Sequence, residues 1–419
     1  MRVRLFLLFG LASPLWGLEV AVREAINPGL GRPPAEVVRS TPAASFRGLL
    51  SACAAEDFRR AAHFLDLSEI PKEQQAILGP EVAEKLCRVL SRLSARAQAV
   101  HIGARPEDVV IGSLPLNHVG GITCGVATML VAGGSVALVP YFRPDLVVEA
   151  VRRHRVTIFA GVPTMYHMVF GYPGFSPADF SSVRLCIVGG SSVEPRLATQ
   201  IANTFPWAQL INLYGLSESS GACIMSPLGE PVDKVATSIG VPIGDFRVKV
   251  VDNERRDVPA GETGELVIYG DCVAKGYYGL PEATRETFGA DGALYTGDMG
   301  YLEPDGHVVL RGRKKEMYVQ GGFNVYPVEI ENLLMKHPKV AMVAGIGVPD
   351  PVFGEVGRFY VVPRPGAQLT AEELLAYCRE NLADYKVPRQ FVFVDELPLT
   401  PAGKIHKALL RQWYEEGRL

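Results

Sequence analysis

Two carboxylates and two cations stand on glycine-marked turns, each following a strand-like run. Glu218 closes Asn212-Leu213-Tyr214-Gly215-Leu216-Ser217-Glu218, and Asp298 closes Tyr295-Thr296-Gly297-Asp298. Arg313 lies in Gly312-Arg313-Lys314-Lys315-Glu316, and Lys404 ends Pro398-Leu399-Thr400-Pro401-Ala402-Gly403-Lys404. A carboxylate beside a hydroxyl can hold a hard cation. A carboxylate has two acceptor oxygens and can take two hydroxyls. A rigid guanidinium and a point-charge ammonium can hold anions together. Such a set suits a reaction between two anionic reactants, whose transition state needs its charge cancelled.

Other glycine runs join these. Gly189-Gly190-Ser191-Ser192 ends a strand-like run, and Gly321-Gly322-Phe323-Asn324-Val325-Tyr326-Pro327 follows the arginine turn. Leu114-Pro115-Leu116-Asn117-His118-Val119-Gly120-Gly121 lies upstream, and Val162-Pro163-Thr164-Met165 follows another strand-like run.

The elements that must position these groups follow from pattern. Short Val/Ile/Leu runs at 109–114, 135–139, 157–160, 184–188 and 208–213 alternate with helical stretches. This predicts a parallel α/β sheet, and ligands bind at strand ends of such sheets. From Gly240 to Leu310 the runs come closer, separated by turn dipeptides, which predicts an antiparallel sheet or small barrel. From Tyr326 onward a compact α+β unit is expected: helix 327–336, strands 340–347 and 357–362, helix 370–382, strand 390–395 and helix 405–415.

Taken in this order, the motifs resemble the adenylate-forming superfamily, of the acyl-CoA synthetase kind, from about residue 95 onward. The resemblance implies a reaction: a carboxylic acid attacks the α-phosphate of ATP, giving acyl-AMP and pyrophosphate, and CoA then takes the acyl group. It implies that Glu218 holds Mg²⁺ and Ser217 offers a hydroxyl to phosphate; serine stands where the family usually has threonine. Gly190, Ser191, Ser192, Asn212, Tyr214 and Gly215 would surround the nucleotide. Asp298 would accept the ribose hydroxyls, Arg313 would reach ribose or phosphate, and Lys404 would bridge acid and nucleotide. Asn117, His118 and Val162 would line an acyl pocket of apolar character, for a fatty, alicyclic or aryl acid. Lys315 falls at the family's hinge, and Gly321 and Gly322 along its pantetheine tunnel. No carrier domain follows Leu419, which favours CoA over a protein carrier.

The resemblance also implies a Ser/Thr/Gly-rich phosphate-binding run ending Pro-Lys-Gly several dozen residues before Asn117. None stands there, and Thr237-Ser238-Ile239-Gly240 lies too late. The chain therefore reads as a truncated large domain (95–314) and a carboxyl-terminal swinging domain (315–419), joined near Ser91–Ala97 to helices of unrelated origin (18–94). Adenylation is expected to be impaired. The alternatives are a non-catalytic adenylate- or CoA-binding remnant, and an exported interaction protein with a passive ligase part.

Met1-Arg2-Val3-Arg4 and the apolar run Leu5–Ala12 resemble a secretory signal over 1–17. The segment around Ala61–Pro71 weakly resembles an exported stretch of mechanosensitive-channel-type proteins. Both conflict with the cytoplasmic setting expected for a ligase. The seven dispersed cysteines, with no CxxC pair, read as reduced thiols. A net charge of −3 without long runs of one sign gives no reason to expect nucleic acid or an anionic membrane as partner.

Overall fold

The computed structural model describes residues 94–191, 193–400 and 404–418, preceded by Leu30, Leu49, 52–53, 55–63 and 70–91. The signal-like segment 1–17, most of 18–48, Ser192 and residues 401–403 lie outside the described residues.

Two helices come first, α1 (Phe58–Ala62) and α2 (Lys72–Ser91). Asp57 caps α1 by accepting from the Arg60 amide. Ala52, Ala61, Ala62, Ile70 and Ala83 form a small core of their own. Pro80 lies inside α2. Leu78, Val82 and Ala83 all pack into that core, so the apolar face continues across the proline and outweighs the hydrogen bond it deletes. Cys53 is disulfide-bonded, which corrects the expectation of reduced thiols at that position. Cys124, Cys186, Cys223, Cys272 and Cys378 are thiols outside any disulfide. Among the described residues, no helix is long and apolar enough to cross a membrane.

The first sheet is built from β1 (Val109–Gly112), β2 (Ser135–Leu138), β3 (Ile158–Gly161), β4 (Leu185–Gly189), β5 (Gln209–Leu216), β6 (Gly221–Met225) and β7 (Val241–Pro242). Its order is β2-β1-β3-β4-β5-β6-β7. The pairs β1–β2, β1–β3, β3–β4 and β4–β5 are parallel, as the alternation of runs and helices predicts. β6 and β7 add antiparallel. Alternation along β4 shows why the run is wholly apolar. Cys186 and Val188 enter one core cluster, and Leu185 and Ile187 enter the other. A strand buried on both faces has no polar side. Between strands run α3 (Ser94–His101), which precedes β1, then a π-helical turn (Gly120–Ala127), α4 (Thr128–Ala132), α5 (Pro144–His154), α6 (Pro163–Phe170), α7 (Pro195–Thr204) and α8 (Val232–Thr237). Ser94, Ala95, Gln98 and Ala99 of α3 are buried. The Ser94 hydroxyl donates to the Ser220 carbonyl at 2.8 Å, and the Gln98 amide to the Cys124 carbonyl at 2.9 Å. The presumed join thus lies against the first sheet.

The second sheet contains β8 (Arg247–Val251), β9 (Gly264–Tyr269), β10 (Leu294–Leu302) and β11 (Val308–Arg313), all antiparallel in the order β11-β10-β9-β8. Of the two forms anticipated, the sheet is present, with β8 and β11 at its edges. Helix α9 (Pro281–Thr287) lies between β9 and β10.

The third sheet contains β12 (Tyr318–Gln320), β13 (Phe323–Val325), β14 (Val340–Asp350), β15 (Gly354–Pro363) and β16 (Gln390–Phe393), with helices α10 (Pro327–Leu334), α11 (Ala371–Asn381) and α12 (Lys407–Glu415). Its elements match the expected α+β unit and add the short hairpin β12–β13. Gln320 pairs with Phe323 across Gly321 and Gly322, whose φ values are +60° and +87°. Two positive φ values in a two-residue hairpin define the turn that glycine suits best.

Candidate active site

The strand ends explain their glycines. A Cβ on Gly189 would lie 2.1 Å from the Leu213 carbonyl oxygen, and one on Gly215 would lie 2.1 Å from that of Gly221. Gly190 turns away from β4 with φ +79°, a conformation costly for residues with a Cβ. β5 changes register against β6 between Tyr214 and Gly215, and the chain then turns through Ser217 and Glu218 into β6.

Asp298 is the most tightly built group. It sits directly opposite Arg313 in the β10–β11 ladder. The pairing of β10 with β9 is irregular between Tyr295 and Met299, and Gly297 there has φ +70°. Such a bulge re-aims side chains. The Thr296 hydroxyl accepts from the Asp298 amide at 3.0 Å and donates to the Leu266 carbonyl at 2.8 Å. The Gly297 amide donates to Glu265 at 3.0 Å. The Asp298 side chain is 3% exposed, and its Oδ1 lies 3.1 Å from Arg313 Nε. The Tyr214 hydroxyl donates to its Oδ2 at 2.6 Å. Burial raises the Asp298 pKa above its ordinary value, against the opposing pull of Arg313 and the Tyr214 hydroxyl.

Lys404 reaches this place from the segment between β16 and α12. Its backbone is pinned by a bridge between Leu399 and Ile405, and its carbonyl accepts from the Thr400 amide at 2.7 Å. A Cβ on Gly190 would lie 3.6 Å from Lys404 Cε and 3.3 Å from Val162 Cγ1, so the absence of a side chain at 190 leaves the room in which both meet. Burial lowers the Lys404 pKa, as does Arg313, while Asp298 opposes the shift. His118 feels both burial and the Lys404 charge, which lower its pKa. Its Nδ1 accepts from the Gly120 amide at 3.0 Å, which fixes the ring at the start of the π-helical turn. Gly190, Tyr214, Asp298, Arg313, Lys404, His118 and Val162 are thus linked through shared contacts and fields.

The other expected residues are placed as follows. Glu218 is half-buried on its turn and Ser217 is exposed beside it. Glu218 Oε1 accepts from the Tyr277 hydroxyl at 2.6 Å. Its other carboxylate oxygen and the neighbouring hydroxyl form an oxygen-only donor set, which fits Mg²⁺. Another grouping, Glu303, Asp305 and His307, has ligand atoms within 4.8 Å of one another. Lys234 Nζ already occupies it, 2.6 Å from Glu303 and 2.9 Å from Asp305. Asn212 is buried, and its side-chain nitrogen donates to the carbonyls of Val235 and Ser238 at 3.4 and 3.2 Å. That ties β5 to α8 rather than offering donors to a nucleotide. Ser191 and Asn117 are exposed. Gly321 and Gly322 are accounted for by their hairpin turn.

Lys315 is exposed in the turn between β11 and β12. The Lys314 amide donates to the Gly297 carbonyl at 2.8 Å, and Lys314 Nζ lies 3.2 Å from Glu265. The Lys315 carbonyl instead accepts from Arg411 at 3.1 Å. Lys407 lies 2.8 Å from both Glu316 and Glu331. Tyr277 was not anticipated. Its phenol sits in an ordinary-looking Gly-Tyr-Tyr-Gly stretch, and only the fold brings it to Glu218.

The Gly190 strand end of the first sheet, the Asp298–Arg313 pair of the second sheet and Lys404, which precedes α12, thus come together. The family model for AMP-binding enzymes matches residues 88–278, and that for the AMP-binding enzyme C-terminal domain matches 329–404. The chain is 39% identical over 306 residues to a feruloyl-CoA synthase of an Amycolatopsis species, covering 73% of this chain and 62% of that protein. It is 37% identical over 298 residues to a 3-[(3aS,4S,7aS)-7a-methyl-1,5-dioxo-octahydro-1H-inden-4-yl]propanoyl:CoA ligase of Rhodococcus jostii, covering 71% and 56%. The structure of ATP-bound MatB from Rhodopseudomonas palustris superposes with a TM-score of 0.72 at 31% identity, covering 77% of this chain and 63% of that one. This chain spans about three-fifths of the length of the curated relatives it matches. Residues 88–278 and 329–404 thus match the two domains of AMP-binding enzymes, and the chain is similar to enzymes of the acyl-CoA synthetase type.

Proposed function

We propose that this chain acts in ATP-dependent ligation of an apolar carboxylic acid to CoA, by way of an acyl-adenylate. The observation that carries the reading is Lys404, placed against Gly190 and within the field of Asp298, Arg313 and His118. In this reading the acid enters beside Val162 and His118, and its carboxylate meets the α-phosphate of ATP at Lys404. A half-buried ammonium placed there holds two anions in contact and cancels charge as the new O–P bond forms and pyrophosphate leaves. Asp298 accepts the ribose hydroxyls, and Arg313 lends a donor to ribose or phosphate. The Tyr214 ring and the backbone of Gly190 and Ser191 border the adenine. Glu218 and Ser217 would hold Mg²⁺, which supplies charge neutralisation at the phosphates. In the second step the CoA thiol attacks the acyl carbonyl and AMP leaves.

An aryl or alicyclic acid is favoured, because the pocket residues named are apolar or neutral and relatives carry feruloyl and indenyl-propanoyl names. We place the division between the large and swinging parts at Lys314–Lys315, where the hydrogen bonds change sides. ATP and CoA must be present where the ligase part works.

The test is incubation of the purified chain with ATP, Mg²⁺, CoA and a panel of cinnamic, alicyclic and medium-chain acids. Pyrophosphate release and acyl-CoA formation are followed, and synthetic acyl-AMP is supplied in parallel. Acid-dependent acyl-CoA that disappears in Lys404→Ala supports the reading. Failure to form acyl-CoA from either start overturns it.

A further inference from the structure

The turn carrying Ser217 and Glu218 is fastened by the segment between β9 and α9, beside the bond from Ser94 of α3 to the Ser220 carbonyl. The Ala274 amide donates to the Glu218 carbonyl at 2.8 Å. The Ser220 hydroxyl donates to the Cys272 carbonyl at 2.8 Å. The Tyr277 hydroxyl donates to the Glu218 carboxylate at 2.6 Å. Backbone and side chain of the turn are thus held by residues some 50–60 positions away in sequence, between β9 and α9.

Tyr277 is itself held. Its ring meets Phe288 edge-on, with centroids 5.3 Å apart and planes at 66°. Its amide bonds the Thr284 hydroxyl at 2.9 Å. Gly276 has φ +147°, and a Cβ there would come 2.5 Å from Thr284 Cγ2, so the segment can approach α9 this closely only with glycine at 276. The next residue, Tyr278, is fully exposed. Of two adjacent tyrosines, one is packed, backbone-anchored and aimed at a carboxylate, and the other faces solvent.

We propose that Tyr277 is a positioning residue for Glu218, fixing which carboxylate oxygen faces a bound divalent cation. The proposal rests on the reading of Glu218 as the cation ligand. A carboxylate on an exposed turn has several rotamers, and a short hydrogen bond from a braced phenol selects one. Oε1 is engaged by the phenol, which leaves Oε2 as the oxygen presented to the cation. Partners of this kind typically account for about 10–100-fold in metal affinity.

The experiment uses the full chain and follows Mn²⁺ binding by electron paramagnetic resonance with ATP present. The affinity for a non-hydrolysable acyl-sulfamoyl adenosine, which has no β- or γ-phosphate, is measured beside it. Tyr277→Phe keeps the ring against Phe288 and removes only the hydroxyl. The expected result is Mn²⁺ affinity about 10-fold weaker, with adenylate-analogue affinity and thermal midpoint unchanged. Glu218→Gln is measured alongside. If Glu218→Gln weakens Mn²⁺ binding and Tyr277→Phe does not, the inference is overturned and the reading of Glu218 stands. If Glu218→Gln binds Mn²⁺ like wild type, or wild type binds none with ATP, that reading is overturned and the inference with it. If Tyr277→Phe weakens the adenylate analogue equally, the tyrosine only supports the fold, and the inference is overturned.

Discussion

Asp298 and Glu218 are the two carboxylates of the proposed site, and their surroundings are built in opposite ways. Asp298 is buried in the interior of a sheet, with its backbone set by a bulge and its oxygens held by Arg313 and Tyr214. Glu218 is half-buried on a turn, with one oxygen held by a single phenol. Burial makes ionising Asp298 costly, and that cost is returned when hydroxyls donate to it; a group built this way selects neutral donors. A half-exposed carboxylate loses little hydration and suits a hydrated cation, which dehydrates reluctantly. Surroundings, more than residue type, separate the two roles.

The comparison breaks most visibly at Lys404, which lies in the field of Asp298. Lys404→Ala should lower acyl-AMP formation by about 10²–10³-fold, read by acid-dependent pyrophosphate release, with little change in melting temperature. A smaller loss would mean the lysine is a bystander to the two carboxylates. In the wild type, this activity should also fall as pH rises through a value below the ordinary lysine 10.5, because burial lowers the Lys404 pKa.

Next is Asp298→Ala. Losing hydrogen bonds to a charged acceptor costs about 1.5–3 kcal/mol, roughly 10–100-fold in adenylate-analogue affinity by calorimetry. The raised Asp298 pKa sets the direction with pH. Binding that needs the carboxylate weakens as pH falls, with a midpoint above 3.8. For the empty fold the sign is reversed: the protonated form suits burial, so its contribution to stability is greatest below pH 3.8 and is lost as pH rises through the folded value.

Tyr214→Phe sharpens the contrast. The tyrosine's hydrogen bond lowers the Asp298 pKa, so its removal should move the acidic limb of adenylate binding to higher pH. At neutral pH about 1 kcal/mol is lost, roughly fivefold. A limb that stays in place would show that Arg313 alone governs Asp298.

The smallest effect is expected at Gly322. A Cβ there meets nothing within 4 Å, but φ is +87°. Gly322→Ala should cost about 1 kcal/mol of stability, seen as a shift in melting temperature. If Gly322 also borders a pantetheine path, the KM for CoA rises while adenylate affinity stays constant.

The chain announced much of this architecture. β4 could be read because a strand buried on both faces must be apolar throughout, and Leu185–Val188 is. Gly190, Asp298 and Lys404 stood out through the resemblance of their motifs taken in order, and the fold brings them near one another. The hairpin β12–β13 was not, since three-residue strands show too little alternation. Asn212 looked like a ligand because it begins a ligand-rich string, yet its amide ties β5 to α8. Tyr277 left no signal because its partner is distant in sequence. The disulfide at Cys53 was obscured because composition was read across the whole chain, while the amino-terminal helices have a core of their own.

The turn after β11 carries a mechanical consequence. Lys314 is fastened to Gly297 and Glu265, whereas Lys315 and Glu316 are fastened to α12 through Arg411 and Lys407. The two sets of fastenings meet at one peptide junction, where the proposed hinge lies. In the proposed swing everything past that junction, from β12 to α12, would travel as a piece and carry Lys404 with it. Stiffening that single junction, as Lys315→Pro would, should leave the first chemical step largely intact and stall the arrival of whatever must follow it.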